Sequence, residues 1–110
     1  MAIDIIQINQ EIYAASQRLS KAADTLYALG KSKAESEQAY RVKLAQEMIK
    51  LKTEGMSIGM IGDVAKGNVG DYLFKRDYDE TIWKAAIESI GAIQTQISAL
   101  QSIIKYQNEV

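Results

Sequence analysis

Eight apolar residues recur at alternating three- and four-residue steps near the start of the chain: Ile5, Ile8, Ile12, Ala15, Leu19, Ala22, Leu26 and Leu29. Residues spaced in this way share one stripe of an α-helix, and the mean step is that of a left-handed coiled-coil seam. No proline occurs anywhere in the 110 residues, so nothing bars an amide from the i to i−4 ladder, and long uninterrupted helices are expected. Asp4 falls in the expected first turn, where free amides favour a carboxylate.

Gly30 ends the clean repeat. Ser32 and Glu35 have capping-box spacing and would let a new helix begin there. A single helix running through Gly30 to about residue 53 would instead carry an interior glycine, at roughly 1 kcal/mol. Helical stretches are therefore expected over 4–29 and 32–54, related by a bend or a continuation, because a sharp reversal would have too few residues in which to turn. The stripe beyond Gly30 is weaker, through Ala34, Arg41, Leu44, Ala45, Met48 and Leu51, with Arg41 laying its aliphatic stem along the seam. Tyr40, Val42 and Ile49 lie off it and widen the apolar surface, as a second neighbour or an exposed binding face would require.

A second strong stripe closes the chain. Tyr72, Arg76, Asp79, Trp83, Ala86, Ile90, Ile93, Ile97, Leu100, Ile104 and Gln107 again follow steps of four and three, and predict a helix over 69–106. Residues 55–68 then form a short connecting helix or loop. The expected fold is all-α: one domain over 1–110, an elongated antiparallel hairpin of long helices joined by a glycine-rich segment. A bare hairpin has little core for its length, since each stripe finds one partner. Residues 89–104, SIGAIQTQISALQSII, carry no charge, which is unusual for a solvent-bathed helix. Self-association into a dimer, larger bundle or coiled coil is the simplest relief.

Composition removes several classes of function. Thirteen basic residues against fourteen acidic ones leave a net charge of -1, which argues against a strongly cationic nucleic-acid binder. There is no cysteine and no histidine, so disulfides, thiolate chemistry, the usual general base near pH 7 and the commonest metal ligand are all missing. A charged residue interrupts every window long enough to span a bilayer, and MAIDIIQINQ lacks the basic start of a signal peptide. The expected location is the cytoplasm, with no membrane association.

The stretch GMSIGMIGDVAKGNVGDY, residues 55–72, holds five of the seven glycines. Neither the phosphate-loop spacing nor Gly-x-Gly-x-x-Gly occurs, and no strand precedes it, which tells against nucleotide binding. KLKTEGMSIGMIGDVAKG has the cadence of a helix-turn-helix, with Ser57 as N-cap and a short helix patterned through Ile58, Ile61, Val64 and Ala65. Its outward residues, Gly59, Gly62, Asp63 and Lys66, are poor readers of base edges. The simpler expectation is a connecting helix, with Gly55 as the preceding C-cap and Met56, Met60 and Ile61 closing the end of the hairpin.

Lys50, Lys52, Lys66, Lys75 and Arg76 gather toward the same end and are candidate nucleic-acid contacts, although nearby carboxylates largely cancel them. In the acidic run DYDE (77–80), Asp77 and Glu80 share a helix face and Asp79 points elsewhere; a solvated face is expected rather than a metal centre. No serine lies beside an obvious base. No catalytic, cofactor-binding or metal-binding residue is expected, and the chain is read as non-enzymatic. Trp83 falls on the seam beside Ile82 and Ile87, with Tyr27, Tyr40, Tyr72 and Tyr78 as neighbours. Core packing is the default for it, and a partner-facing hot spot the functional alternative.

Across about residues 35–107 the chain resembles a group of small early-region proteins of tailed bacteriophages and prophages, for which no active residues are assigned. The likeness rests on Tyr40-Arg41, Glu54-Gly55-Met56, Asp63-x-Ala65-x-Gly67, Arg76-Asp77 and Leu100-Gln101-Ser102-Ile103. It implies a role around phage DNA replication or recombination, through binding a host or phage protein. The first functional expectation is thus a self-associating adaptor whose partner surface includes Trp83, Ile90, Ile93, Ile97, Leu100 and Ile104. Weak sequence-independent nucleic-acid binding is the second, and oligomer building within a phage particle the third.

Overall fold

The computed structural model describes residues 4–108. Among these there are three helices and no strand: α1 (Ile5–Thr53), α2 (Ile58–Asn68) and α3 (Gly70–Asn108). Within each of the chain's compact units a part of α1 packs antiparallel on a part of α3, as the two stripes require. Asp4 stands one position outside α1 as its N-cap: its carboxylate accepts hydrogen bonds from the amides of Ile6 and Gln7 at 3.0 and 3.2 Å, satisfying two donors that have no partner within the helix.

The chain divides into two compact units, Met1–Tyr27 with Lys84–Val110, and Ala28–Trp83. In the first, the early part of α1 packs on the late part of α3. Ile8 and Ala15 are buried, Ile12, Leu19, Ala22 and Leu26 are half-buried, and Ile5 stays exposed. On α3 the matching stripe of Ala86, Ile90, Ile93, Ile97, Leu100 and Ile104 is half-buried. Gln107 is exposed, so the stripe ends at Ile104. The Arg18 guanidinium donates across the helix pair to the Gln96 side-chain oxygen.

In the second unit α1 continues through Gly30 without a break, so that of the bend and the continuation expected there it is the continuation, and the stretches 4–29 and 32–54 are one helix. The physical reason lies on α3. A Cβ at position 30 would sit 3.5 Å from the Trp83 indole nitrogen, and Lys33 Nζ lies 5.0 Å from the same ring's centroid. Packing against an indole offsets an interior glycine's penalty of about 1 kcal/mol. Ser32 caps nothing, because the ladder passes it, and Glu35 pairs with Lys31 at 3.9 Å instead.

The α1 stripe also departs from expectation after Leu29. Ala34, Arg41, Ala45 and Met48 are exposed, whereas Lys33, Ser36, Tyr40, Leu44, Glu47 and Leu51 are among the residues withdrawn from water. The first stripe's own steps continue in phase to 33, 36 and 40; they were obscured because Lys33 and Ser36 are polar. Tyr40, off the expected seam, is only 5% exposed.

α1 ends in a Schellman turn. Gly55, with φ of 88°, occupies the left-handed region; the Met56 amide bonds back to the Leu51 carbonyl and the Gly55 amide to that of Lys52, each at 3.1 Å. An apolar contact accompanies this motif, since Met56 packs against the cluster of Leu51, Ile61 and Ala65. Ser57 is the N-cap of α2 by position, but its side chain makes no capping bond. α2 then folds its buried Ile61 and Ala65 onto Leu51, with Leu44 and Val64 around them. Val69, buried and between helices, lends its carbonyl to the amides of Tyr72 and Leu73 at 3.0 and 3.2 Å, which starts α3 at once.

Candidate interaction surface

The cap at Gly55 sets the first turns of α2 beside the last turns of α1, and an open groove of about 410 Å³ lies between them. Met48, Ile49 and Lys52 line it from α1, and Ile58, Ile61 and Gly62 from α2. Ile61 belongs to the core, but Ile58 is 85% exposed and Ile49 67%. Met60, expected to close the hairpin end, is instead 58% exposed. Isoleucines in solvent at this level are unfavourable on the transfer scale unless something covers them. Lys52 is the one charged side chain on the lining.

Polar chemistry is concentrated at the centre of the same unit. Asp79 is 7% exposed, so the acidic run is not a uniformly solvated face. Lys75 Nζ donates to both oxygens of its carboxylate, at 3.0 and 3.1 Å. That hydrogen bond, helped by the Ser36 hydroxyl and by the charge of Lys75 and opposed by burial, holds the carboxyl below its usual range. Arg76 lies over the Tyr40 ring at 4.5 Å, bonds Asp77 at 3.0 and 3.1 Å and approaches Glu37 at 3.9 Å. The Asp77 hydrogen bond is the main reason its guanidinium pKa is raised. These groups are neutralised and occupied, which describes a structural polar layer. No cluster of three or more potential metal ligands exists among the described residues.

The expected nucleic-acid contacts divide accordingly. Lys75 and Arg76 are engaged by carboxylates, while Lys50, Lys52 and Lys66 are exposed in the last turns of α1 and α2, where a cation is favoured by the helix dipole. Of the expected partner residues, Trp83, Ile90, Ile93, Ile97, Leu100 and Ile104 are all half-buried on the α3 stripe. The tyrosines do not gather at Trp83. Tyr40 meets Arg76, Tyr72 stacks under Lys43 with 5.8 Å from Nζ to centroid, Tyr78 pairs with Phe74, and Tyr27 is 83% exposed.

The groove itself escaped residue-by-residue prediction. Ile49 was visible as an apolar residue off the seam, but Ile58 shares its helical phase with the buried Ile61 and Ala65, so periodicity alone placed it inside. The described helices include none long and apolar enough to cross a membrane. No family model, curated protein or solved structure matches the chain.

Proposed function

We propose that the protein is a non-enzymatic helical adaptor that works by packing against proteins, including further copies of itself. The observation that carries this is the apolar groove at the α1–α2 corner, with Ile49 and Ile58 left largely in solvent. Buried side-chain polar atoms, by contrast, all have partners among the described residues, and the one buried carboxylate is tied to a lysine. The resemblance to phage early-region proteins supports a setting in the cytoplasm of an infected host, with a host or phage protein as a further partner. Oligomer building within a phage particle would draw on the same association. Sedimentation velocity over a hundredfold concentration range is the test. A rise in mass with concentration is expected; a single monomeric species throughout removes the self-association part.

Lys50, Lys52 and Lys66 favour a second reading, weak sequence-independent nucleic-acid binding. Three phosphate contacts would give a slope of log affinity against log salt of roughly -2.7 on duplex DNA. Fluorescence anisotropy with labelled single- and double-stranded DNA at low and moderate salt measures it, and no binding even at low salt would sink that reading.

A further inference from the structure

Two exposed patches within Ala28–Trp83 complement each other. The first is the groove, apolar except for Lys52, with Gly62 in its wall. A Cβ at Gly62 would meet nothing within 4 Å, and the neighbouring Gly59 would meet only the Ser57 hydroxyl at 4.0 Å. The interior helical glycine at 62 costs about 1 kcal/mol relative to alanine, and no intrachain contact needs the side chain missing at either position. The effect of the two glycines is to leave backbone open to close approach from outside. The second patch is on α3: Phe74 and Tyr78 are 71% and 54% exposed, with rings stacked at 6.2 Å. Asp71, exposed and one turn earlier, lies on the same helical face.

We infer that the groove lined by Ile49, Ile58 and Gly62 receives the Phe74–Tyr78 ring pair of a second copy of this chain, with Lys52 facing the second copy's Asp71. The inference rests on the self-association reading and names its contact. A cavity of roughly 150 Å³ holds one benzene-sized ring, so about 410 Å³ accommodates two. The single cation on the groove and the carboxylate beside the rings are opposite in sign and so complementary. Such a pairing steers association and fixes register more than it adds affinity. Aromatic side chains seated in an apolar pocket carry most of the binding energy in small interfaces.

The test uses the full chain in sedimentation velocity, with wild type, Ile58→Glu and Phe74→Glu. Both substituted residues are exposed, so helicity by circular dichroism is expected to be unchanged. Each variant alone should weaken association at least about tenfold, the effect of losing one hot spot. An equimolar mixture of the two should recover it, because the Phe74→Glu copy keeps an intact groove and the Ile58→Glu copy keeps intact rings. If wild type associates and either variant associates equally well, or the mixture fails to recover, the contact is wrong while self-association stands. A wild type that stays monomeric overturns both.

Discussion

The unit formed by Ala28–Trp83 and the one formed by Met1–Tyr27 with Lys84–Val110 differ in how far they remove side chains from water. Among the described residues, the buried ones of the latter are Ile8 and Ala15; Tyr40, Leu51, Ile61, Ala65, Val69, Ser36 and Asp79 all belong to the former. Hydrophobicity does not explain the difference. Ile93, Ile97 and Leu100 remain half-exposed, while a carboxylate in the other unit is 7% exposed. A helix with one neighbour buries a narrow stripe whose flanks stay wet, whereas α2 gives Leu51 a further helix to pack against, and Ser36, Tyr40 and Asp79 are withdrawn among their own polar and cation–π partners on α1 and α3.

The largest expected effect tests that difference directly. Replacing Leu51, which α2 covers, by alanine should cost about 3–4 kcal/mol of unfolding free energy, in the range of large-to-small core changes. Leu19→Ala, on a half-buried position, should cost roughly 1–2 kcal/mol. Urea unfolding followed by circular dichroism measures both, and equal losses would falsify the proposed role of α2.

Next in size is Asp79→Asn. It should cost about 1–2 kcal/mol at pH 7, toward the low end for a charged hydrogen bond because Lys75 is 64% exposed and screened. The Asp79 carboxyl is held below its ordinary value in the folded state. Its contribution is therefore complete above the unfolded-state value near 4 and is lost as pH falls through the lower folded value. Melting temperatures of wild type and variant should converge on acidification; a gap that stays constant down to pH 2 would exclude the linkage.

The smallest pair concerns glycines. Gly55→Ala should lower stability by about 1 kcal/mol, since φ of 88° is strained for any side chain. Gly30→Ala should raise it by up to about 1 kcal/mol, because 3.5 Å to the Trp83 ring is ordinary contact. Opposite signs in thermal melts are the expected result.

Much of the fold was legible because strict apolar steps report helical faces whatever their partners. Ile8 to Leu29 on α1 and Arg76 to Ile104 on α3 were placed correctly on that basis, as was the cap at Gly55. Between Ser32 and Met48 the helix and Leu44 were expected, but the other inward positions were missed because they include Lys33, Ser36 and Tyr40. Their partners, Trp83, Asp79 and Arg76, lie 36 to 50 residues away in sequence, and only a tertiary pairing makes such residues look interior. The groove was hidden for a related reason: exposure of Ile58 depends on where α2 overhangs α1, not on its period.

The corner at Gly55 also orders events in time. The Asn68–Glu47 hydrogen bond closes 21 residues of chain, whereas Arg18–Gln96 closes 78. By the logarithmic law for flexible loops the longer closure costs about 1 kcal/mol more in chain entropy if made first. Folding should therefore start where α1, α2 and the beginning of α3 meet and zip toward the chain ends, with φ-values high at Leu51 and Ile61 and low at Ile8. Emerging from a ribosome, the chain would meet the reverse order of supply: all of α1 is made before the first residue of α3, so its seam must wait, uncovered, for the corner to form.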